Sequence, residues 1–161
     1  MIVLPPCEGQ PALALTPVTA DEAAALGEVF SAIDPWTRYP YTAGALQSYF
    51  ATLEPGAPRY AIRSGTSLVG AVGLRFNWLS GPYVQFLGLL PSHQRQGAGK
   101  RVLQWLEDDA RKHSARNLWV AASDFNAEAI KFYECFGFQR VAVLDDLVRD
   151  GCSELLLRKK L

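Results

Sequence analysis

The sequence predicts an α/β protein in which about four helices cover one mixed β-sheet. Three observations support this fold class. Residues 14–53 contain apolar residues at helical spacing, residues 60–89 contain three strand-like runs joined by short turns, and residues from 97 onward alternate between helical and strand patterns. A chain of 161 residues fits one domain, residues 1–161, with one hydrophobic core.

The first third of the chain predicts a short strand, a helix, an aromatic loop and a second helix. Within LALTPVTADEAAALGEVFSAID, Thr19 and Glu22 have capping-box spacing, and apolar residues follow at helical intervals. Pro35 ends this helix, the loop DPWTRYPYT follows, and the second helix runs from Ala43 to about Leu53. Residues 1–12 are rich in proline, and we expect them to form a loose tail.

The period then changes to that of strands. Three strands are predicted, at about Tyr60–Arg63, Ser67–Trp78 and Tyr83–Leu89, with turn residues between them. Because short turns join antiparallel neighbours, these strands form a meander.

The last third alternates helices and strands. Apolar residues at helical spacing predict a helix from Gly97 to about His113, and NLWVAA reads as a short buried strand. NAEAIKFYECF predicts a helix that Gly137 ends, and FQRVAVL and SELLLRKKL are two closing strands.

Composition excludes several classes of protein. Sixteen basic and sixteen acidic residues cancel, so the net charge favours neither nucleic acid nor a membrane surface as a partner. The three cysteines, Cys7, Cys135 and Cys152, follow neither a disulfide framework nor a zinc-site spacing. The start lacks signal-peptide features, and no segment approaches the ~18 apolar residues of a membrane span. We therefore expect a cytoplasmic protein without a metal.

The glycine-rich turn HQRQGAGKRVL is the first candidate site. A nucleotide-binding P-loop would need glycine where Gln94 stands and Ser or Thr where Arg101 stands, and a dinucleotide fingerprint would need glycine at Val102. Two interpretations remain open. Gly97 and Gly99 either let several amides at a helix start face a pyrophosphate, or they only ease a tight turn between a strand and a helix.

Two motifs resemble those of the GNAT superfamily of acyl-CoA N-acyltransferases. QRQGAG fits the signature Q/R-x-x-G-x-G/A, and NAEAIKFYECFGF resembles the second motif of the family over Asn126, Ala129, Phe132, Tyr133, Gly137 and Phe138. The resemblance is strongest from about Val84 to Phe138. It implies the GNAT fold, which is a mostly antiparallel sheet with one splayed parallel strand pair, and acetyl-CoA as the cofactor.

The resemblance also implies roles for individual residues. Pantetheine would pair with the backbone of Leu87, Gly88 and Leu89. The pyrophosphate would meet the amides of Arg95, Gln96, Gly97, Ala98, Gly99 and Lys100. Asn126 would bind pantetheine, although asparagine at this position also caps helices. Tyr133 would protonate or hydrogen-bond the departing thiolate, although a tyrosine at this spacing also fits a hydrophobic core.

The chain departs from this pattern where a general base is expected. Many relatives carry a glutamate on one of the two splayed strands, but YVQFLGLL and LWVAA contain no carboxylate. Asp34 and Asp124 remain candidate bases that would act through water, although both are typical cap or turn residues. His93 lies beside the glycine-rich turn, at the wrong end of the cofactor.

The aromatic loop is the predicted acceptor site. Trp36, Arg38, Tyr39 and Tyr41 suit a peptide-like or aromatic substrate, although Trp36 and Tyr39 also suit a small satellite core. PW, QRQGAGK and LWV resemble the branch that acetylates the N-terminal amine of ribosomal proteins, without its glutamate.

These observations predict an N-acetyltransferase that transfers acetyl from acetyl-CoA directly to a primary amine in a ternary complex. The amine belongs to a protein N-terminus, a small molecule or an antibiotic. The alternative is a non-catalytic acyl-CoA-binding module. Neither nucleic acid nor a membrane is expected as a partner, and the protein would be a monomer or a homodimer.

Overall fold

The computed structural model describes residues 1–161, which form eight strands and four α-helices. The strands are β1 (Ile2–Val3), β2 (Ala14–Pro17), β3 (Arg59–Ser64), β4 (Ser67–Trp78), β5 (Gly81–Leu89), β6 (Asn117–Ser123), β7 (Gln139–Asp145) and β8 (Ser153–Lys160). The helices are α1 (Ala20–Ser31), α2 (Ala43–Ala51), α3 (Ala98–Lys112) and α4 (Ala127–Cys135). No helix is long and apolar enough to cross a membrane.

All eight strands belong to one sheet, in the order β1-β2-β3-β4-β5-β6-β8-β7. Every neighbouring pair is antiparallel except β5 and β6, which run parallel. The mixed sheet and the four helices confirm the predicted fold class. Strand β1 was not predicted.

Strands β5 and β6 separate after a short paired segment. They pair only at Tyr83 with Trp119 and at Val84 with Val120. On the other side of β5, the register with β4 shifts between Val84 and Phe86, which leaves Gln85 as an extra residue in β5. Such a bulge bends a strand and ends regular pairing. The bulge therefore lies where β5 leaves β6, and a slot opens between the two strands beyond it.

The helices pack on opposite faces of the sheet. One apolar cluster joins α3 and α4 to the sheet through residues such as Val102, Leu106 and Ile130. A second cluster joins α1 and α2 to Ala71 and Phe86. Strand β5 stays paired with β4 after its pairing with β6 ends. The sheet therefore continues past the start of the slot, with one helix layer on each of its faces.

The proline-rich start is packed on the domain, which differs from the loose tail expected from its composition. Ile2 pairs with Leu15, and the side chain of Leu4 is 2% exposed. Arg101 of α3, itself 3% exposed, donates to the carbonyls of Pro5 and Pro11 at 2.7 Å each. Proline has no amide hydrogen but keeps its carbonyl, so a buried guanidinium can hold this segment.

Candidate functional site

The slot opens into a cavity of about 350 Å³, named here the slot cavity. Its lining comes from β5, β6, β8, α4, the turn after α1 and the loop between β7 and β8. Six of the residues predicted from sequence line it: Trp36, Tyr39, Tyr41, Leu87, Asn126 and Tyr133. The lining does not include Arg38, Gly88, Leu89 or the glycine-rich turn.

The glycine-rich turn presents a row of free amides at the start of α3. None of the amides from Arg95 to Lys100 donates a hydrogen bond within the chain, and α3 has no side-chain cap. Gly97 has a φ of 80°, which is left-handed backbone that glycine adopts without strain. Unpaired amides at a helix start, backed by the positive end of the helix, favour an anion. The turn therefore suits a phosphate group.

The two glycines of the turn have different surroundings. A Cβ on Gly97 would meet only the flexible end of the Gln10 side chain, at 3.2 Å. A Cβ on Gly99 would lie 3.2 Å from the ring of Phe132 in α4 and 3.9 Å from Leu87 in β5. Gly97 is thus needed for backbone conformation, whereas Gly99 lets α3 approach α4 and the slot.

The charged side chains of the turn lie in solvent. Arg95 is 83% exposed and forms an ion pair with Glu128 at 2.6 Å. Lys100 is exposed as well. The side chain of Gln94 donates to the carbonyl of Leu89 at 3.1 Å, which fixes the end of β5 against the turn. The amides, rather than the cationic side chains, are therefore the groups of this turn that could hold an anion in a fixed geometry.

Asn126 and Tyr133 come from the two ends of α4 and both reach the slot cavity. Asn126 Oδ1 accepts from the amide of Ala129 at 3.1 Å, so this residue caps α4 and also faces the cavity. Tyr133 is 6% exposed, and its ring packs beside Phe132 and Phe138. Burial, with a smaller contribution from Tyr83, raises the pKa of Tyr133 above its ordinary value. The hydroxyl therefore stays protonated at neutral pH.

The aromatic loop divides between core packing and the cavity. The ring of Trp36 stacks on Phe86 with centroids 4.9 Å apart. Tyr39 lies 5.5 Å from Tyr41, measured between ring centroids. The guanidinium of Arg38 lies 4.9 Å from the ring centroid of Phe125, outside the cavity lining. Trp36 therefore combines the two roles predicted for the loop, because it packs against the core and also lines the cavity.

A carboxylate that the sequence reasoning missed faces the slot cavity. Glu154 on β8 pairs in register with Ser123 at the end of β6, is 7% exposed and accepts a hydrogen bond from the hydroxyl of Tyr39. The signal was present in SELLLRKKL, where an acidic residue begins a buried apolar strand. Only the register of β8 against β6 brings that residue to the slot.

The tyrosines around Glu154 are held neutral. Burial raises the pKa of Tyr39, and its hydrogen bond to the negative Glu154 raises it further. Burial and then the charge of Glu154 also raise the pKa of Tyr41 and of Tyr83. Neutral hydroxyls donate hydrogen bonds and leave the ring faces electron-rich.

The other residues considered as general bases lie elsewhere. The cavity lining does not include Asp34, Asp124 or His93.

The arrangement combines four features: free amides for a phosphate, an open strand edge, a protonated tyrosine and a buried carboxylate. Such a slot suits a long ligand that has an anionic end and a reactive end in the cavity. Tyr133 and Glu154 lie at that second end, where a proton can be given and a proton taken.

Comparisons with known proteins agree with this geometry. Residues 23–138 match the acetyltransferase (GNAT) family. The [ribosomal protein bS18]-alanine N-acetyltransferase of Escherichia coli (strain K12) is 38% identical over 53 residues, which are 33% of this chain and 36% of that relative. The match therefore spans about a third of the length of this curated relative.

Two solved structures show the same fold. A GNAT-family protein from Desulfovibrio desulfuricans superimposes with a TM-score of 0.74 at 19% identity, covering 94% of this chain and 99% of that chain. A Bacillus anthracis protein named for streptothricin acetylation, solved with acetyl coenzyme A, gives a TM-score of 0.60 at 18% identity over 67% of this chain and 64% of that chain.

Proposed function

This chain belongs to the acetyltransferase (GNAT) family, and on that premise we propose that it transfers an acetyl group from acetyl-CoA to a primary amine. The observation that carries the proposal is that the free amides of the glycine-rich turn lie at the end of β5, the strand that borders the slot, where Gln94 donates to the carbonyl of Leu89. The amine belongs to a protein N-terminus, a small molecule or an antibiotic. The cysteine pattern supports a cytoplasmic location.

The residues present fit acetyl-CoA. The amides of residues 95–100 would hold the pyrophosphate, and the backbone of Leu87, Gly88 and Leu89 would hold the pantetheine arm together with Asn126. When bound, acetyl-CoA supplies an activated acetyl thioester. The edge of β5 that faces β6 has no strand partner beyond Val84. This supports the assignment, because an unpaired strand edge offers backbone donors and acceptors to an extended ligand.

Tyr133 would hold a proton at its hydroxyl for the departing thiolate. Its raised pKa keeps the proton available but makes the tyrosine a weaker acid than a free phenol. A thiol has a reference pKa of about 8.5, which is below that of tyrosine, so full proton transfer to the thiolate is unfavourable, and the hydrogen bond from the hydroxyl to sulfur matters more. Tyr133 would therefore act chiefly by position.

Transfer would be direct. Neither Cys135, which is exposed, nor Cys152, which is partly exposed, lines the slot cavity. A covalent acyl-enzyme needs a nucleophile within reach of the acyl group. The cavity instead leaves room beside Tyr133 for an acceptor, which supports a ternary complex.

The alternative is a non-catalytic acyl-CoA-binding module. In the sequence, its supporting feature was the lack of a carboxylate on the two splayed strands. Glu154 brings a carboxylate to the slot cavity from a third strand, which favours the enzyme.

The test compares Tyr133→Phe with the control Tyr60→Phe. Tyr60 is partly buried and packs on Trp105, away from the cavity. CoA release is measured over peptides, polyamines and aminoglycosides, and acetyl-CoA affinity is measured by calorimetry. We expect Tyr133→Phe to lower kcat by about 100-fold or more with affinity unchanged, and Tyr60→Phe to change neither. Acetyl-CoA binding by the unmodified protein without CoA release on any amine would favour the module.

A further inference from the structure

Glu154 is a largely buried carboxylate with one hydrogen bond inside the chain. One of its oxygens accepts from the hydroxyl of Tyr39, which is the hydrogen bond that Glu154 forms within the chain. The residue is 7% exposed, and no lysine, arginine or histidine lines the slot cavity. A buried carboxylate is costly unless a positive group or further donors meet it. The enclosed polar atoms without a partner are Tyr49 Oη and Arg59 Nε, so the second oxygen of Glu154 is open to the cavity that this residue lines and is available to a cation.

The walls around this carboxylate suit a cation with an apolar stem. Tyr39, Tyr41 and Tyr83 line the cavity beside Glu154, and their hydroxyls are neutral. Aromatic faces attract ammonium groups, most strongly where water is displaced. Leu147 and Val148, which are 58% and 37% exposed, continue the lining at the β7–β8 loop and can contact methylene groups.

We propose that Glu154 binds the ammonium group of the acceptor and takes a proton from it, so that the acceptor is a cationic primary amine without an adjacent carboxylate. This inference rests on the proposed acetyl transfer. It assigns the second oxygen of Glu154 as the proton acceptor, with Tyr39 positioning the carboxylate. An acceptor with a carboxylate beside its amine would bring a second negative charge next to Glu154, with no cation in the lining to offset it.

The protons balance in this scheme. The ammonium gives one proton to Glu154, which later passes it to water. The neutral amine nitrogen forms the bond to the acetyl carbon while the carbon–sulfur bond breaks. The second proton leaves the nitrogen for water as the amide forms. Tyr133 gives its proton to the thiolate and regains one from water, so the net products are the amide, the thiol and one proton.

The need for such a base depends on the acceptor. At pH 7 an alkylammonium with a pKa of about 10.4 has roughly one molecule in 2,500 deprotonated, whereas an α-ammonium with a pKa near 8 has about one in ten. A carboxylate next to the nitrogen matters most for the first kind. The alkylammonium groups of a polyamine and the α-ammonium group of a peptide both belong to the proposed substrate class. Both are positively charged, and neither has a carboxylate next to the nitrogen.

The first experiment needs no variant. CoA release is measured for matched pairs of acceptors that differ by one carboxylate, namely alaninamide against alanine and 1,5-diaminopentane against lysine. A carboxylate also raises the pKa of a neighbouring ammonium, so kcat/KM is expressed per neutral amine, and we expect it to be at least about ten-fold higher for the acceptor without the carboxylate in each pair that supports turnover. Equal kcat/KM within the pairs would overturn the substrate class.

The second experiment removes the charge and keeps the shape. Glu154→Gln is compared with Glu134→Gln, which alters an exposed carboxylate on α4 that pairs with Arg140. We expect Glu154→Gln to lower kcat/KM for the preferred amine by about 100-fold or more and to abolish the preference within each pair, with acetyl-CoA affinity unchanged. Glu134→Gln should leave all three quantities unchanged.

The outcomes separate the two proposals. Turnover by the unmodified protein that persists at full rate in Glu154→Gln would overturn the role of Glu154 and leave the acetyltransferase standing. No turnover on any amine would overturn both. If Glu154→Gln loses acetyl-CoA binding through misfolding, the matched acceptor pairs on the unmodified protein decide the inference.

Discussion

Gly97→Val is the sharpest test of the amide site in the glycine-rich turn. Gly97 has a φ of 80°, and a left-handed conformation costs a residue with a side chain about 1–2 kcal/mol. Valine at this position should therefore pull the turn toward negative φ. The amides on either side would then no longer point to one place, and the bound pyrophosphate would lose hydrogen bonds.

The magnitude follows from the free amides. Six amides, those of residues 95–100, have no acceptor in the chain. A hydrogen bond to a charged group is worth about 1.5–3 kcal/mol, so the loss of two weakens binding by at least about 3 kcal/mol, or roughly 100-fold. Arg95→Ala removes only an 83% exposed charge already paired with Glu128, so we expect less than about a five-fold loss.

Calorimetry with CoA and with pantetheine, which lacks the pyrophosphate, isolates this effect. Gly56→Val is the matched control, because Gly56 has a φ of 76° and open space around it. Both valine variants should be destabilised to a similar extent in urea, but only Gly97→Val should lose affinity for CoA, and its affinity for pantetheine should be unchanged. Equal CoA affinity in the two variants would refute the amide site.

Two further predictions concern stability in urea. Leu4→Ala should lower the free energy of unfolding by about 2–5 kcal/mol, because Leu4 is 2% exposed. The control Val3→Ala, at a 68% exposed position, should lower it by less than about 0.5 kcal/mol. Equal small losses in the two variants would mean that the start of the chain is loose. Burial would raise the pKa of Glu107, but ion pairs with Lys159 at 2.5 Å and Arg111 at 2.8 Å outweigh it and lower the pKa below 4.5. Glu107→Gln should therefore cost about 1–2 kcal/mol at pH 7, a difference that shrinks as pH falls below 4.5; a difference independent of pH would contradict this.

Local signals predicted the helices and most strands well. Thr19 and Glu22 form both hydrogen bonds of the capping box, at 3.3 and 2.8 Å, and α1 begins there. Strand β4 has the predicted bounds, Ser67–Trp78. In these segments the residues that determine the structure are neighbours in the chain, so a periodic pattern or a cap suffices.

The misses depend on contacts between distant parts of the chain. The start of the chain is held by Arg101, which lies about 90 residues further on, so its proline content alone was misleading. Glu154 reaches the slot only through the register of β8 on β6. The guanidinium of Arg38, a residue predicted to bind the acceptor, lies over the ring of Phe125 and outside the cavity lining, a placement that depends on a ring 87 residues further along the chain.

The most direct test of the central claim is to measure CoA release by the unmodified protein with acetyl-CoA and a panel of primary amines, followed by mass spectrometry of the amine. We expect at least one cationic amine to release CoA and gain one acetyl group on nitrogen, with the rate falling about 100-fold or more in Tyr133→Phe while acetyl-CoA affinity is kept. Tight acetyl-CoA binding without acetylation of any amine would contradict the claim.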